Sequence, residues 1–258
     1  MAYRYDEDLI FLSYLENSDL DDLVKTLIYD KDDKKRYSEH LSTNEKYLKF
    51  SPNHTLYWEE IAEEIQRYGA NSVITHLFRG RKGVLYHEVL TDVCDKLKVN
   101  YNKKSSIEII EDNLLMKILH DAIDKMSPEE RAELAKNIGL KVTDFNFLTV
   151  EALMAAFQTI FKIGGFKSYQ LTLIIVNAVS KAIFGRGLTL AGNVALTRTA
   201  SILTGPIGWV ILGLWTVFDI AGPAYRVTIP ATVQIALLRK KAKLSKEDLR
   251  GDFDKELF

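Results

Sequence analysis

The sequence predicts an all-α protein, and three observations carry that expectation. Apolar residues recur at i, i+3 and i+4 in most of its segments, helix start signals are dense, and no alternating Val/Ile/Thr stretch competes. The chain has 258 residues, 47% of them hydrophobic and 27% charged, with five prolines. That is enough apolar material for a real core, and it excludes a disordered chain or a disulfide-stapled miniature.

The elements follow in order. Ser18 precedes Asp-Leu-Asp-Asp-Leu-Val, acids that favour a helix N-terminus, and Leu20, Leu23, Val24 and Leu27 continue at helical spacing. Asn53 is placed to cap a run carrying Leu56, Tyr57, Ile61, Ile65 and Tyr68, with Gly69 as its stop. Val84, Leu85, Val89, Leu90, Val93, Cys94 and Leu97 form the next stripe. Ser105 and Glu108 have capping-box spacing ahead of Ile107, Ile110, Leu114, Ile118 and Ile123. Ser127-Pro128-Glu129-Glu130 is a second box, with proline where its missing N–H costs nothing, and Gly139 closes that helix. Long apolar runs then cover 147–161, 169–184 and, after the Gly185-Arg186-Gly187 break, 188–203. Residues 199–218 are twenty in a row without charge, the length of a bilayer-spanning helix.

Charge divides the chain. The net charge of −1 is a cancellation: residues 1–141 carry −6, residues 142–238 carry +3 and residues 239–258 carry +2. The middle block also holds nine of the fourteen glycines. We therefore expect a small N-terminal helical module (1–40), an acidic helical region (41–141), an apolar glycine-rich region (142–244) containing a helical hairpin (199–238), and a polar tail (245–258). The overall balance excludes a globally basic nucleic-acid binder.

The hairpin is the candidate interaction element. Its turn lies at Asp219–Arg226, and Arg198 and Arg239-Lys240-Lys241 with Lys243 would then lie on one side, as the positive-inside rule asks. Gly205, Gly208 and Gly213 would let the two limbs approach, while Trp209 and Trp215 suit a core or an interface. Nine Leu/Ile/Val/Phe residues in 199–218 favour insertion by roughly 3–5 kcal/mol, opposed by three Thr, one Ser, three Gly and one Pro. An all-round apolar hairpin equally suits the buried centre of a soluble helical domain or a stable interface with another protein.

Catalytic chemistry has no constellation here. The five histidines (His40, His54, His76, His87, His120) show no i,i+3 or i,i+4 pair, so no zinc-type ligand face is expected. Cys94 falls on an apolar stripe and reads as a small buried hydrophobe. Arg79-Gly80-Arg81-Lys82-Gly83 lacks phosphate-loop spacing and reads as a turn. No catalytic residue, cofactor, metal or small-molecule substrate is expected. The lone cysteine, with no signal pattern at the N-terminus, gives the expectation of a cytoplasmic protein.

The stretch Ala224-Tyr225-Arg226-Val227-Thr228-Ile229-Pro230-Ala231, continuing to Gln234-Ile235-Ala236 and Leu238-Arg239, resembles the C-terminal signature of the bacterial YaaW family. Trp58-Glu59-Glu60-Ile61-Ala62 through Asp92-Val93-Cys94-Asp95-Lys96-Leu97 is similar to that family's middle region. The opening Tyr3-Arg4-Tyr5-Asp6-Glu7-Asp8-Leu9, with Leu20-Asp21-Asp22-Leu23, resembles a small N-terminal module often joined to it. The family is linked distantly to the ubiquinol–cytochrome c chaperone domain, a helical assembly factor, and the resemblance implies protein handling at a membrane. The expected function is thus a non-enzymatic, chaperone-like interaction protein, cytoplasmic and peripheral to the inner membrane, with a protein partner and a membrane surface as the second candidate contact. The alternative is a membrane-active effector whose hairpin inserts into a bilayer. Gly205, Gly208, Trp209, Gly213, Trp215, Asp219, Tyr225, Arg226 and Pro230 are the residues expected to carry either role.

Overall fold

A computed structural model describes residues 3–72, 84–140, 148–185, 187–189, 222 and 224–256. Of the expected interaction residues, Gly205, Gly208, Trp209, Gly213, Trp215 and Asp219 lie outside the described residues, as does the first limb of the hairpin. The described architecture is all-α, and its β pairing is an isolated bridge between Tyr29 and Lys35.

A 3-10 turn over Glu7–Tyr14 leads into α1 (Asn17–Ile28), followed by α2 (Glu45–Phe50), a 3-10 turn (His54–Tyr57) and α3 (Trp58–Ser72). Next come α4 (Tyr86–Lys96), α5 (Ile107–Ile123), α6 (Pro128–Asn137), α7 (Val150–Ile163), α8 (Gly165–Phe184) and α9 (Tyr225–Glu256).

Local signals account for many of the ends. Ser127 and Glu130 form the expected reciprocal box at α6, and Gly139 beyond that helix has φ +70°. Thr149 caps α7 by accepting from the Ala152 N–H. Elsewhere the ends shift. The cap of α1 is Glu16, boxed with Asp19, so Ser18 lies inside the helix. Ser106, not Ser105, precedes α5, and Glu108 meets Lys243 at 2.9 Å. Gly69 does not end α3. It sits inside the helix because a Cβ there would come within 2.4 Å of the Val89 side chain and 2.8 Å of that of Val84. The glycine marks a close helix crossing between α3 and α4. Leu56, expected on the apolar face, is exposed.

Two helices are buried all round. In α8 every residue from Leu171 to Ser180 is buried, and in α9 every residue from Val227 to Leu238. They pack most extensively on each other, and α9 also packs on α1, α3, α4, α5 and the first 3-10 turn. One core therefore joins leucines of the N-terminal module, the stripes of α3–α5, and the apolar runs of α7–α9. This is where the second limb of the expected hairpin goes: residues 227–238 form the central strut of the molecule. Among the described residues no helix is long and apolar enough to cross a membrane.

Polar groups inside this strut need partners. Gln234 donates from Nε2 to Thr26 Oγ1 at 2.9 Å, tying α9 to α1 inside the core. Thr232 donates to the backbone carbonyls of Thr228 and Ile229, around the buried Pro230, whose ring nitrogen offers no hydrogen bond to the turn before it. Past Leu238, α9 leaves the apolar interior and carries its basic residues among the acids of the first half.

Candidate interaction cleft

The basic cluster that follows the apolar strut is paired within the molecule. Arg239 meets Glu111 at 3.0 Å, Lys240 meets Asp112 at 2.6 Å, and Lys243 meets Glu108 at 2.9 Å, all on α5; Lys241 reaches Asp19 on α1. The spacing follows helix geometry, since Glu108, Glu111 and Asp112 share one face of α5 at i, i+3 and i+4. The opposite charges of the acidic region and the tail are thus brought into contact.

Glu111 and Arg239 are the deepest of these pairs. Glu111 also accepts from the Tyr86 hydroxyl at 2.8 Å, and Arg239 donates to the Asp8 carbonyl at 2.8 Å. The guanidinium stacks over the Phe11 ring at 4.5 Å and faces the Tyr86 ring at 5.7 Å. Burial pushes the Glu111 carboxyl up from its ordinary value, against the pull of Arg239. Burial does the same to Asp112 against Lys240, whereas the Lys243 hydrogen bond holds Glu108 down. A buried ion pair gives little net stability, but losing one partner is costly, so this pair fixes how α9, α5, α4 and the N-terminal turn meet.

Beside this network α7 turns into α8 through Gly164 and Gly165, both at positive φ (+76° and +66°). Glycine is needed there because a side chain would be strained in that conformation. The corner presents Ile163, 79% exposed, and Phe166, 56% exposed. Between the corner, α5 and α9 lies a cleft of about 260 Å³ lined by Glu108, Glu111 and Asp112, by Lys162–Gly165 and Ser168, and by Arg239, Lys240 and Lys243. Lys240 also sits 5.0 Å over the Phe161 ring. The arrangement offers an apolar tip, a hydrogen-bonding floor and charges of both signs, which suits recognition of another molecule.

Three expected residues fall among those described, all outside the cleft. Tyr225 opens α9; its hydroxyl donates to Asp92 at 3.2 Å, its ring faces the Lys96 ammonium at 5.1 Å, and burial pushes its pKa up to about 12. It therefore fastens α9 to α4. Arg226 is exposed, and its charge is felt by the half-buried Arg36. Pro230 is a core residue. The cleft itself went unread in the sequence. Its signals were the Ile-Gly-Gly-Phe step at 163–166 and the match between three acids on one face of α5 and the bases after Leu238. Cys94 is fully buried, and that burial pushes its thiol up to about 12, far from a nucleophile's value.

Residues 53–233 match the family model described as ubiquinol–cytochrome c chaperone, and residues 3–37 match that described as a domain of unknown function, DUF3944. A UPF0174 protein of Helicobacter pylori strain J99 is 54% identical over 251 residues, covering 97% of this chain and 98% of that one. A second UPF0174 protein of that strain is 44% identical, covering 80% and 99%. The UPF0174 protein YaaW of Escherichia coli strain K12 is 32% identical, covering 92% and 95%. No solved structure matches the chain.

Proposed function

Since the chain belongs to the UPF0174 family, and most of it matches a chaperone family model, we propose that it is a chaperone-like or assembly protein. It handles another polypeptide and catalyses no reaction. The observation that carries this reading is the α7–α8 corner, where Ile163 and Phe166 stand out on a two-glycine turn beside a polar cleft. Single exposed hydrophobes are ordinary, but a paired apolar tip over a hydrogen-bonding cleft is the anatomy of a contact site. The partner is a protein presenting apolar side chains next to polar ones. The buried, single Cys94 supports a reducing, cytoplasmic setting. Insertion of residues 199–238 into a bilayer would require α9 to extract its twelve buried residues 227–238 from the core.

The test is suppression of aggregation of a heat-unfolded client, comparing wild type with Ile163→Asp/Phe166→Asp. Both substitutions fall on exposed positions, so circular dichroism should show an intact fold. Wild type should hold the client soluble, and the double variant should lose that effect by about 5-fold or more. Equal activity of variant and wild type, or no suppression by either, contradicts the proposal.

A further inference from the structure

The α7–α8 corner carries charge of one sign. Residues 152–218 contain no Asp or Glu. The tip runs Lys162-Ile163-Gly164-Gly165-Phe166-Lys167, so a lysine stands on either side of the apolar pair, one in the last turn of α7 and one in the first turn of α8. Both lysines are exposed, and neither makes a hydrogen bond or an ion pair with a described residue.

Three acids line the neighbouring cleft, and each is already answered. Glu108, Glu111 and Asp112 pair with Lys243, Arg239 and Lys240 respectively. With Lys162 and Lys167 added, corner and cleft together hold five bases against those three acids, and the surplus sits at the tip. Position matters as well as sign. Phe166 packs near the buried Tyr169, ring centroids 6.4 Å apart, so the exposed ring is held in place before anything binds. An apolar pair set between two cations is complementary to a segment whose apolar side chains stand between carboxylates.

We propose that the α7–α8 corner selects acidic polypeptide segments, with Ile163 and Phe166 meeting the apolar side chains and Lys162 and Lys167 meeting the flanking carboxylates. This rests on the chaperone-like reading and gives its client a chemistry: apolar contact supplies the affinity, and charge supplies the choice among clients. The recessed cleft of about 260 Å³ beside the tip favours a polypeptide over an anionic bilayer. A side chain can enter the cleft, whereas a flat lipid surface meets only the projecting tip.

Fluorescence anisotropy of short labelled peptides, sharing one apolar centre flanked by glutamate, glutamine or lysine, tests this on the full chain. At low salt the glutamate peptide should bind about 10-fold tighter than the glutamine peptide and the lysine peptide weakest, with the differences shrinking at high salt. Lys162→Gln/Lys167→Gln should bind the glutamate and glutamine peptides alike, and Lys162→Glu/Lys167→Glu should prefer the lysine peptide. A misfolded variant would lose binding rather than reverse its preference. Lys31→Gln/Lys34→Gln, an equal change of charge on exposed residues that do not line the cleft, should discriminate as wild type does. Absent or equal binding of the three peptides by wild type, or an unchanged preference in both variants of Lys162 and Lys167, overturns the acidic selectivity. Aggregation suppression judges the chaperone-like reading separately: if it persists while the peptides bind equally, only the selectivity has failed. Binding to anionic but not to neutral vesicles, lost in Lys162→Gln/Lys167→Gln and without any preference among peptides, assigns the corner to a membrane and likewise overturns the proposal.

Discussion

Glu64 is 2% exposed, yet its carboxyl accepts from the His40 N–H at 3.0 Å and from Arg67 at 3.1 Å. Burial outweighs the pull of Arg67 and pushes its pKa up to about 7. An unfolded glutamate titrates near 4.5, so between these values the folded chain holds the additional proton. This contribution to stability is present in full below the lower value and is lost as pH rises through about 7, a change of roughly 3 kcal/mol at most. Denaturant unfolding at pH 5 and pH 8 should show it, and Glu64→Gln should flatten the slope. Asp6 makes a comparable claim on the N-terminal module. One of its oxygens caps the first 3-10 turn through the Asp8 N–H, while the other accepts from the Tyr86 N–H at 2.6 Å and so caps α4 as well. Asp6→Ala should cost about 2 kcal/mol in chemical denaturation, more than an ordinary exposed cap. Cys94 should resist a thiol reagent in the native protein and react only on unfolding.

At the scale of elements, the crossing of α3 and α4 depends on Gly69. Gly69→Ala should cost about 1–3 kcal/mol, and Val89→Ala should recover part of it by making room. The same glycine shows where the sequence was legible and where it was not. Helices with an amphipathic stripe and a proline or serine signal, such as Pro128–Asn137, could be read directly because local chemistry sets their ends. Gly69 read as a stop because in sequence a glycine at a helix end and a glycine at a crossing look alike; only the neighbouring helix distinguishes them. The apolar runs showed that 169–184 and 227–238 had to be covered, but not by what. The structure covers them with each other and with the acidic half. The interaction cleft was hidden for a related reason: its parts, Glu108 to Asp112, Lys162 to Ser168 and Arg239 to Leu244, are far apart in the chain and meet only through tertiary packing. Of the residues singled out in advance, Tyr225 and Pro230 have structural roles, while Gly205 to Asp219 lie outside the described residues.

Over the whole molecule, the uneven charge distribution becomes an assembly rule. The N-terminal region is acidic and the tail basic because α9 crosses the core and presents its bases to α5 and α1. The contributions differ by depth. Glu111→Ala should cost about 3–5 kcal/mol because it leaves Arg239 buried without its partner, whereas Lys243→Ala, on a half-exposed pair, should cost at most about 1 kcal/mol. The strut and its charge pairs leave the α7–α8 corner as the apolar feature turned outward beside a cleft, and the two belong to one account: a fixed core element and a working surface. Hydrogen exchange of the full chain, followed peptide by peptide with and without a heat-unfolded client, tests both together. The account predicts that residues 227–238 exchange among the slowest in the protein and do not change on client addition, while residues 160–168 gain protection. Opening of 227–238 in the presence of client, or protection gained elsewhere with 160–168 unchanged, would contradict it.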